Sequence, residues 1–231
     1  MNIFITGASK GIGKATAIRL SESGHMVVGT SRSAQSWADE YDNITMLTCD
    51  VKDYASVQKT VTKASEIMGG IDAVVNNAGL GYFDPLLEGK IEQWNDTIDT
   101  NVKGLLNVVH CTMHELADRK GQVINLGSVA SHQVFPNSGV YCASKWAVLA
   151  ISQSIRMELE GKVRVTTISP GAVNTEFVES SDNEELLKDY RPYFASAMSP
   201  DTIAQQIVHA IETPPNVVIS EIIVRPNRQN K

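Results

Sequence analysis

Cysteine is scarce: Cys49, Cys111 and Cys142 are the only three in 231 residues, far apart and with no Cys-x-x-Cys spacing. An odd, scattered set argues against a disulfide framework and against a thiolate metal centre, and it suits a reducing, cytoplasmic setting. Positive charge is in deficit as well. Lys and Arg number 20 against 26 Asp and Glu, a formal net charge of −6. Such a chain has no general attraction to nucleic acid or anionic lipid, so any anionic ligand must be bound locally. No run reads as a membrane span. The stretch Gln122 to Ser144 is free of Asp, Glu, Lys and Arg but holds Asn125, Ser128, Ser131, Gln133, Pro136 and Asn137 and reads as protein interior. Met1 to Gly7 is too short and lacks the basic flank of a secretory signal. The five histidines form no zinc pattern. His110 and His114 are four apart but lack the acid of a His-Glu-x-x-His motif, so no metal is expected. With no internal repeat, low-complexity tract or Pro/Gly/Ser-rich linker, residues 1–231 are expected to form one domain.

What is present is an ordinary core-forming composition, 42% apolar and 20% charged. Short β-branched runs alternate with segments of helical period, the pattern of strand–helix–strand crossovers on a parallel sheet. Strands are expected at 2–6, 26–31, 44–48, 73–76, 122–126, 164–169 and 217–224. Helices are expected at 11–23, 34–41, 54–68, 91–118, 139–160 and 200–212, with Gly24 suited to the left-handed position after the first. Seven strands imply an α/β doubly wound, seven-stranded parallel sheet with helices on both faces. The one long connection, 174–199, is acidic at first and then aromatic, as a substrate-binding loop or lid can be.

Thr6-Gly7-Ala8-Ser9-Lys10-Gly11-Ile12-Gly13 joins the first strand directly to a helix. Glycines there permit a sharp turn and close approach to a pyrophosphate, and the helix N-terminus stabilises its charge. At the end of the second strand, where an acid would select NAD, the chain has Ser31 and Arg32. A hydroxyl donor and a guanidinium fork, with Lys10 as a further cation, match the 2′-phosphate of NADP(H).

Tyr141 and Lys145 stand four apart at the start of a predicted helix and so share a face. An ammonium beside a phenol is expected to lower its pKa and fit it for proton transfer. Ser128 follows the fifth strand, where it can hold a substrate carbonyl oxygen, and the Asn101 amide can order a water. His132 reads as a hydrogen-bonded structural residue and Cys142 as a packed one. Lys188 and Arg191 are candidates to meet a substrate carboxylate, with Tyr190, Tyr193 and Phe194 as apolar walls.

Five motifs in order, the glycine loop, Asn76-Asn77-Ala78-Gly79, Asn101, Ser128 with Tyr141 and Lys145, and Pro170-Gly171-Ala172-Val173-Asn174-Thr175, make the chain resemble the single-domain short-chain dehydrogenases/reductases. The resemblance spans nearly the whole length. It implies a Rossmann-type fold, a catalytic tetrad of Asn101, Ser128, Tyr141 and Lys145, and reversible hydride transfer between NADP(H) and a small carbonyl or alcohol. It also implies cofactor contacts from Gly7, Ser9, Lys10, Gly11, Ile12, Gly13, Ser31, Arg32, Asp50, Val51, Asn77, Ala78, Gly79, Tyr141, Lys145, Pro170, Gly171, Val173 and Thr175. Homodimers or homotetramers would form through the two long helices. A looser similarity of Val217 to Pro226 to members acting on 3-hydroxy acids, such as serine dehydrogenases, stands beside a broad ketone, aldehyde, diketone or 3-oxoacyl reductase. A non-catalytic NADP-binding regulator is the reading from outside enzymology.

Overall fold

The strand nearest the N-terminus lies in the middle of the sheet. In the computed structural model, which describes residues 1–33 and 35–227, seven parallel strands run in the order β3-β2-β1-β4-β5-β6-β7. They are β1 (Asn2–Ile5), β2 (Met26–Ser31), β3 (Ile44–Thr48), β4 (Ala73–Asn76), β5 (Gln122–Leu126), β6 (Arg164–Pro170) and β7 (Glu221–Val224). The helices are α1 (Gly11–Glu22), α2 (Tyr54–Met68), α3 (Ile91–Ile98), α4 (Gly104–Arg119), α5 (Gly139–Glu158), α6 (Glu184–Ala195) and α7 (Pro200–Ile211). This is the expected doubly wound sheet.

Alternation within the strands builds two cores. Ile3 and Ile5 of β1, with Val27, Val75, Ile124 and Ile168, pack against Leu20 of α1 and Ile203, Ile207 and Ile211 of α7. Phe4, one residue out of phase, faces the other way with Val28, Val74, Val123 and Val165, against Val57 and Val61 of α2, Val108 and Leu116 of α4 and Ile155 of α5. Burying each such side chain contributes about 1.5–3 kcal/mol. Because side chains alternate, strands covered on both faces read as near-continuous apolar runs, and the polar side chains β5 buries are hydrogen-bonded, Asn125 to Asn76 and Ser152 and Gln122 to the Ile211 carbonyl.

Four elements differ from expectation. The predicted helix 34–41 is a 3₁₀ turn, Ser36–Glu40, with Ala38 its only buried residue and Trp37 and Tyr41 packed partly buried against the core; Ala34 lies outside the described residues. The predicted helix 91–118 is broken by a π-helical turn, Asp99–Lys103, which carries Asn101 inward. Its amide donates to the Leu80 carbonyl at 2.8 Å and Ser144 Oγ at 2.9 Å, and its Oδ1 accepts from the Leu80 N–H at 2.9 Å. The last strand starts at Glu221 rather than 217, because the Arg164 guanidinium gathers the Thr213 and Pro214 carbonyls at 2.9 and 3.2 Å into a turn. The connection 174–199 is largely ordered: it contains a 3₁₀ turn, Glu176–Ser180, and α6, N-capped by Asn183.

Candidate active site

The sheet order reverses between β1 and β4, and a crevice opens there at the carboxyl ends of the strands, the place such sheets offer to ligands. A cavity of about 1140 Å³ fills it. One lobe begins at the glycine loop. Gly7 has φ +69°, and a Cβ on it would stand 2.8 Å from the Ala78 Cα. Gly13 lies beneath, where a Cβ would reach 2.2 Å from the Gly7 carbonyl oxygen. Asn77 braces this loop: its amide donates to the Thr6 and Gly7 carbonyls at 3.0 and 2.9 Å, while Thr6 Oγ1 accepts from the N–H groups of Asn77 and Ala78.

Gly7, Ser9, Lys10, Gly11, Ile12, Ser31, Arg32, Asp50, Val51, Asn77, Ala78, Gly79, Ser128, Tyr141, Lys145, Pro170, Gly171, Val173 and Thr175 all line the cavity. Gly13 and Asn101 do not. Gly13 supports the loop from below, and Asn101 borders a separate void of about 10 Å³ that also touches Lys145. Among the described residues Arg32 forms no ion pair, whereas Lys52 nearby is held by Asp96 at 2.8 Å. Lys10 departs from expectation: its ammonium lies 2.5 Å from Glu176 of the 174–199 segment, both groups well exposed.

The other lobe is built around Tyr141. Ser128 N-caps the turn Val129–Ser131 and accepts from the Ala130 N–H at 3.1 Å. Ser131 Oγ accepts from the Ser128 N–H and donates to the Lys145 carbonyl at 2.8 Å, tying the turn to α5. Lys145 is 6% exposed, and its ammonium donates to the Leu126 carbonyl at 2.7 Å. It stands 5.8 Å from the centre of the Tyr141 ring. Burial pushes Lys145 down to about 8. Burial also pushes the Tyr141 phenol up to about 12, opposed by the Ser128 hydroxyl. The expected lowering of Tyr141 by Lys145 is therefore not what the site shows. Removal of water from both groups dominates, and the ammonium is turned to the end of β5.

A chain of aromatic contacts leads outward from the Tyr141 ring. Phe83 and Phe177 lie 6.0 and 5.2 Å from Tyr141 between centres, Tyr190 lies 5.5 Å from Phe83, and Phe194 lies 6.5 Å from Tyr190. Phe83, Phe135, Phe177, Glu179 and Asp189 also line the cavity. Phe177, Glu179 and Asp189 belong to the 174–199 connection expected to bind substrate, and Phe135 lies in the loop after Ser128, within the segment 130–137 that the sequence places at the pocket; Phe83 falls one residue beyond a second such segment, 80–82. Lys188 and Arg191, the candidates for a carboxylate, do not line it. Arg191 is bound by Glu179 at 2.8 Å and Glu184 at 2.9 Å, which hold its guanidinium well above the ordinary range. His132 is structural as expected, at 2.7 Å from Glu221, which also accepts from Ser169. Cys142 is buried. Among the described residues no cluster of His, Cys, Asp and Glu is placed to hold a metal ion, and no helix is long and apolar enough to cross a membrane.

A family model described as short chain dehydrogenase matches residues 1–186, and the chain belongs to that family. An oxidoreductase of Staphylococcus saprophyticus is 36% identical over 99% of this chain and 96% of its own. A glycine betaine reductase of Emericella nidulans is 35% identical over 96% of this chain, which spans 18% of that longer protein. Among solved structures, the closed form of a serine dehydrogenase complexed with NADP+ superposes with a TM-score of 0.92 at 31% identity, over 100% of this chain and 97% of that one.

Proposed function

We propose that this oxidoreductase is NADP(H)-dependent and interconverts a small carbonyl compound and its alcohol, with Tyr141 as the proton donor and acceptor. The observation that carries it is the convergence of Ser128, Tyr141 and Lys145 on a cavity whose other lobe is a glycine loop with Ser31 and Arg32 beside it. The residues fit the cofactor. The glycine loop packs closely on residues 77 and 78, where a Cβ on Gly7 would press into the Ala78 backbone, and its residues line the cavity; among the described residues Arg32, which also lines it, forms no ion pair. Gly7, Ser9, Gly11 and Ile12 would hold the pyrophosphate, Ser31 and Arg32 the 2′-phosphate, Asp50 and Val51 the adenine, and Pro170 to Thr175 the nicotinamide. The solved relative bound to NADP+ supports this choice.

When bound, the cofactor supplies the hydride exchanged with the carbonyl carbon. As charge grows on the carbonyl oxygen, the Ser128 hydroxyl donates to it and the Tyr141 phenol delivers its proton. A phenol raised to about 12 is fully protonated at neutral pH, the state that reduction requires. In the oxidation direction Tyr141 must act as the base, and the Lys145 ammonium is the cation nearest its ring. Asn101 is a positioning residue, fixing Leu80 at the cavity wall and Ser144 one residue before Lys145. We take residues 1–231 as one catalytic domain of a cytoplasmic protein, with 174–199 as its lid.

For the substrate, serine and glycine betaine, the compounds that two relatives are named for, each carry a cationic nitrogen together with a carboxylate. A 3-hydroxy acid would need a free cation for its carboxylate, and Arg191 is already held by two acids. The test is NADPH consumption over a panel of aldehydes, ketones and 3-oxo acids. Tyr141→Phe should still bind NADPH, while kcat falls by about 10²–10⁴-fold. Undiminished turnover in that variant would refute the assignment, and tight NADPH binding with no turnover of any carbonyl would favour the regulator.

A further inference from the structure

We propose that the substrate carries a positively charged nitrogen, as an amine or quaternary ammonium, next to the group that reacts, and that the rings facing Tyr141 together with Asp189 recognise it. The proposal rests on the reading of Tyr141 given above and adds the chemical class of the substrate.

Three observations support it. First, the substrate lobe is walled by a connected set of rings that starts at Tyr141: Phe83 and Phe177 contact it, Tyr190 contacts Phe83, and Phe194 contacts Tyr190. Phe83 is buried and the other three are half-buried, so the latter keep surface toward the cavity. Aromatic faces carry partial negative charge and attract cations, quaternary ammonium groups above all. Second, the carboxylates of this lobe are unequal. Glu176 is taken by Lys10 and Glu179 by Arg191. Asp189, beside Tyr190 on α6, lines the cavity and, among the described residues, bonds to no Lys or Arg. Third, of the four cations that line the cavity among the described residues, Lys10 is paired with Glu176, Lys52 with Asp96, Arg32 belongs to the cofactor lobe, and Lys145 lies beneath the phenol, bound to the Leu126 carbonyl. Rings plus one uncompensated carboxylate favour a cation, tolerate a neutral ketone and repel an anion.

The test uses three methyl ketones that differ in one group: trimethylammonioacetone, its uncharged carbon counterpart 4,4-dimethylpentan-2-one, and acetoacetate. kcat/KM for NADPH-dependent reduction is measured for each with the parent protein and with Asp189→Asn. The ammonium group also activates its carbonyl, so the preference is compared between the two proteins, where that intrinsic difference cancels. The parent should prefer the cation over its neutral counterpart by about tenfold or more, with acetoacetate poorest, and Asp189→Asn should shrink that preference by about threefold. Equal use of the cation and its neutral counterpart, a preference for acetoacetate, or a preference unchanged in Asp189→Asn would overturn the proposal while leaving the oxidoreductase reading intact. Reduction of none of the three, with NADPH still bound, would overturn both.

Discussion

Lys145 is an ammonium held out of water with one carbonyl for company, and its folded-state pKa of about 8 lies below the ordinary value of 10.5. The unfolded chain therefore binds a proton that the folded one releases between those values, and stability gained from this group rises with pH across that window. Below it the buried charge costs on the order of 3 kcal/mol. Lys145→Met should be more stable than the parent at pH 7 in urea unfolding, and the gap should close as pH climbs from 8 toward 10.5; a gap independent of pH would show that the ammonium is solvated. Arg32 makes the opposite case, an exposed cation at the cofactor lobe that forms no ion pair among the described residues. Arg32→Ala should weaken NADPH by about 10- to 100-fold relative to NADH in fluorescence titration, and equal loss of both would remove the 2′-phosphate argument. At this scale the sequence was half legible. The spacing of Tyr141 and Lys145 put them on one helix face, and both line the cavity. The sign of their pKa shifts was hidden, because it depends on how water is excluded by Phe83, Phe177 and β5, which lie far from them along the chain.

The glycine loop is the element whose geometry leaves least room for change. A methyl group on Gly13 would press into the Gly7 carbonyl at 2.2 Å, and both atoms belong to backbone that cannot swing aside. Gly13→Ala should cost about 1–3 kcal/mol in unfolding experiments and abolish NADPH binding. By contrast Gly161, which has open space around its Cβ position, has no such neighbour to displace. Helix α6 shows why part of the lid escaped the sequence reading. Its start is signalled by Asn183, whose side chain accepts from the Leu186 N–H at 3.2 Å, and Leu187 is buried at helical spacing from Tyr190 and Phe194. Pro192 inside it argues for a break, and that local signal masked the periodic one. The π-helical turn at Asp99–Lys103 had no such signal: the extra residue in the turn is set by the bonds of Asn101 to Leu80 and Ser144, contacts between separate elements.

At the scale of the molecule, the two long helices retain apolar surface. Leu106 on α4 is 44% exposed, and Trp146 and Met157 on α5 are 48% and 79% exposed, as a face paired with its symmetry mate would be. Sedimentation should give two or four times the chain mass, and Trp146→Glu with Met157→Glu should reduce it; a parent protein that sediments as a single chain would refute the pairing. Strand count and parallel direction were readable from β-branched runs alternating with helical segments. Strand order was not, because local pattern does not say which strands become neighbours.

That order bears on how the chain is made. The strand β1, apolar from Ile3 to Ile5, is translated early, yet it belongs inside the sheet, between β2 and β4. Once β2 has paired with it, the other edge of β1 stays open until the chain has extended through Ala73–Asn76. For that interval the nascent chain presents an unsatisfied, hydrophobic backbone edge to whatever else is nearby, the condition under which strands add to the wrong partner. Yield from the ribosome, more than the stability of the finished fold, is then where slow passage through the segment between β2 and β4 would be felt.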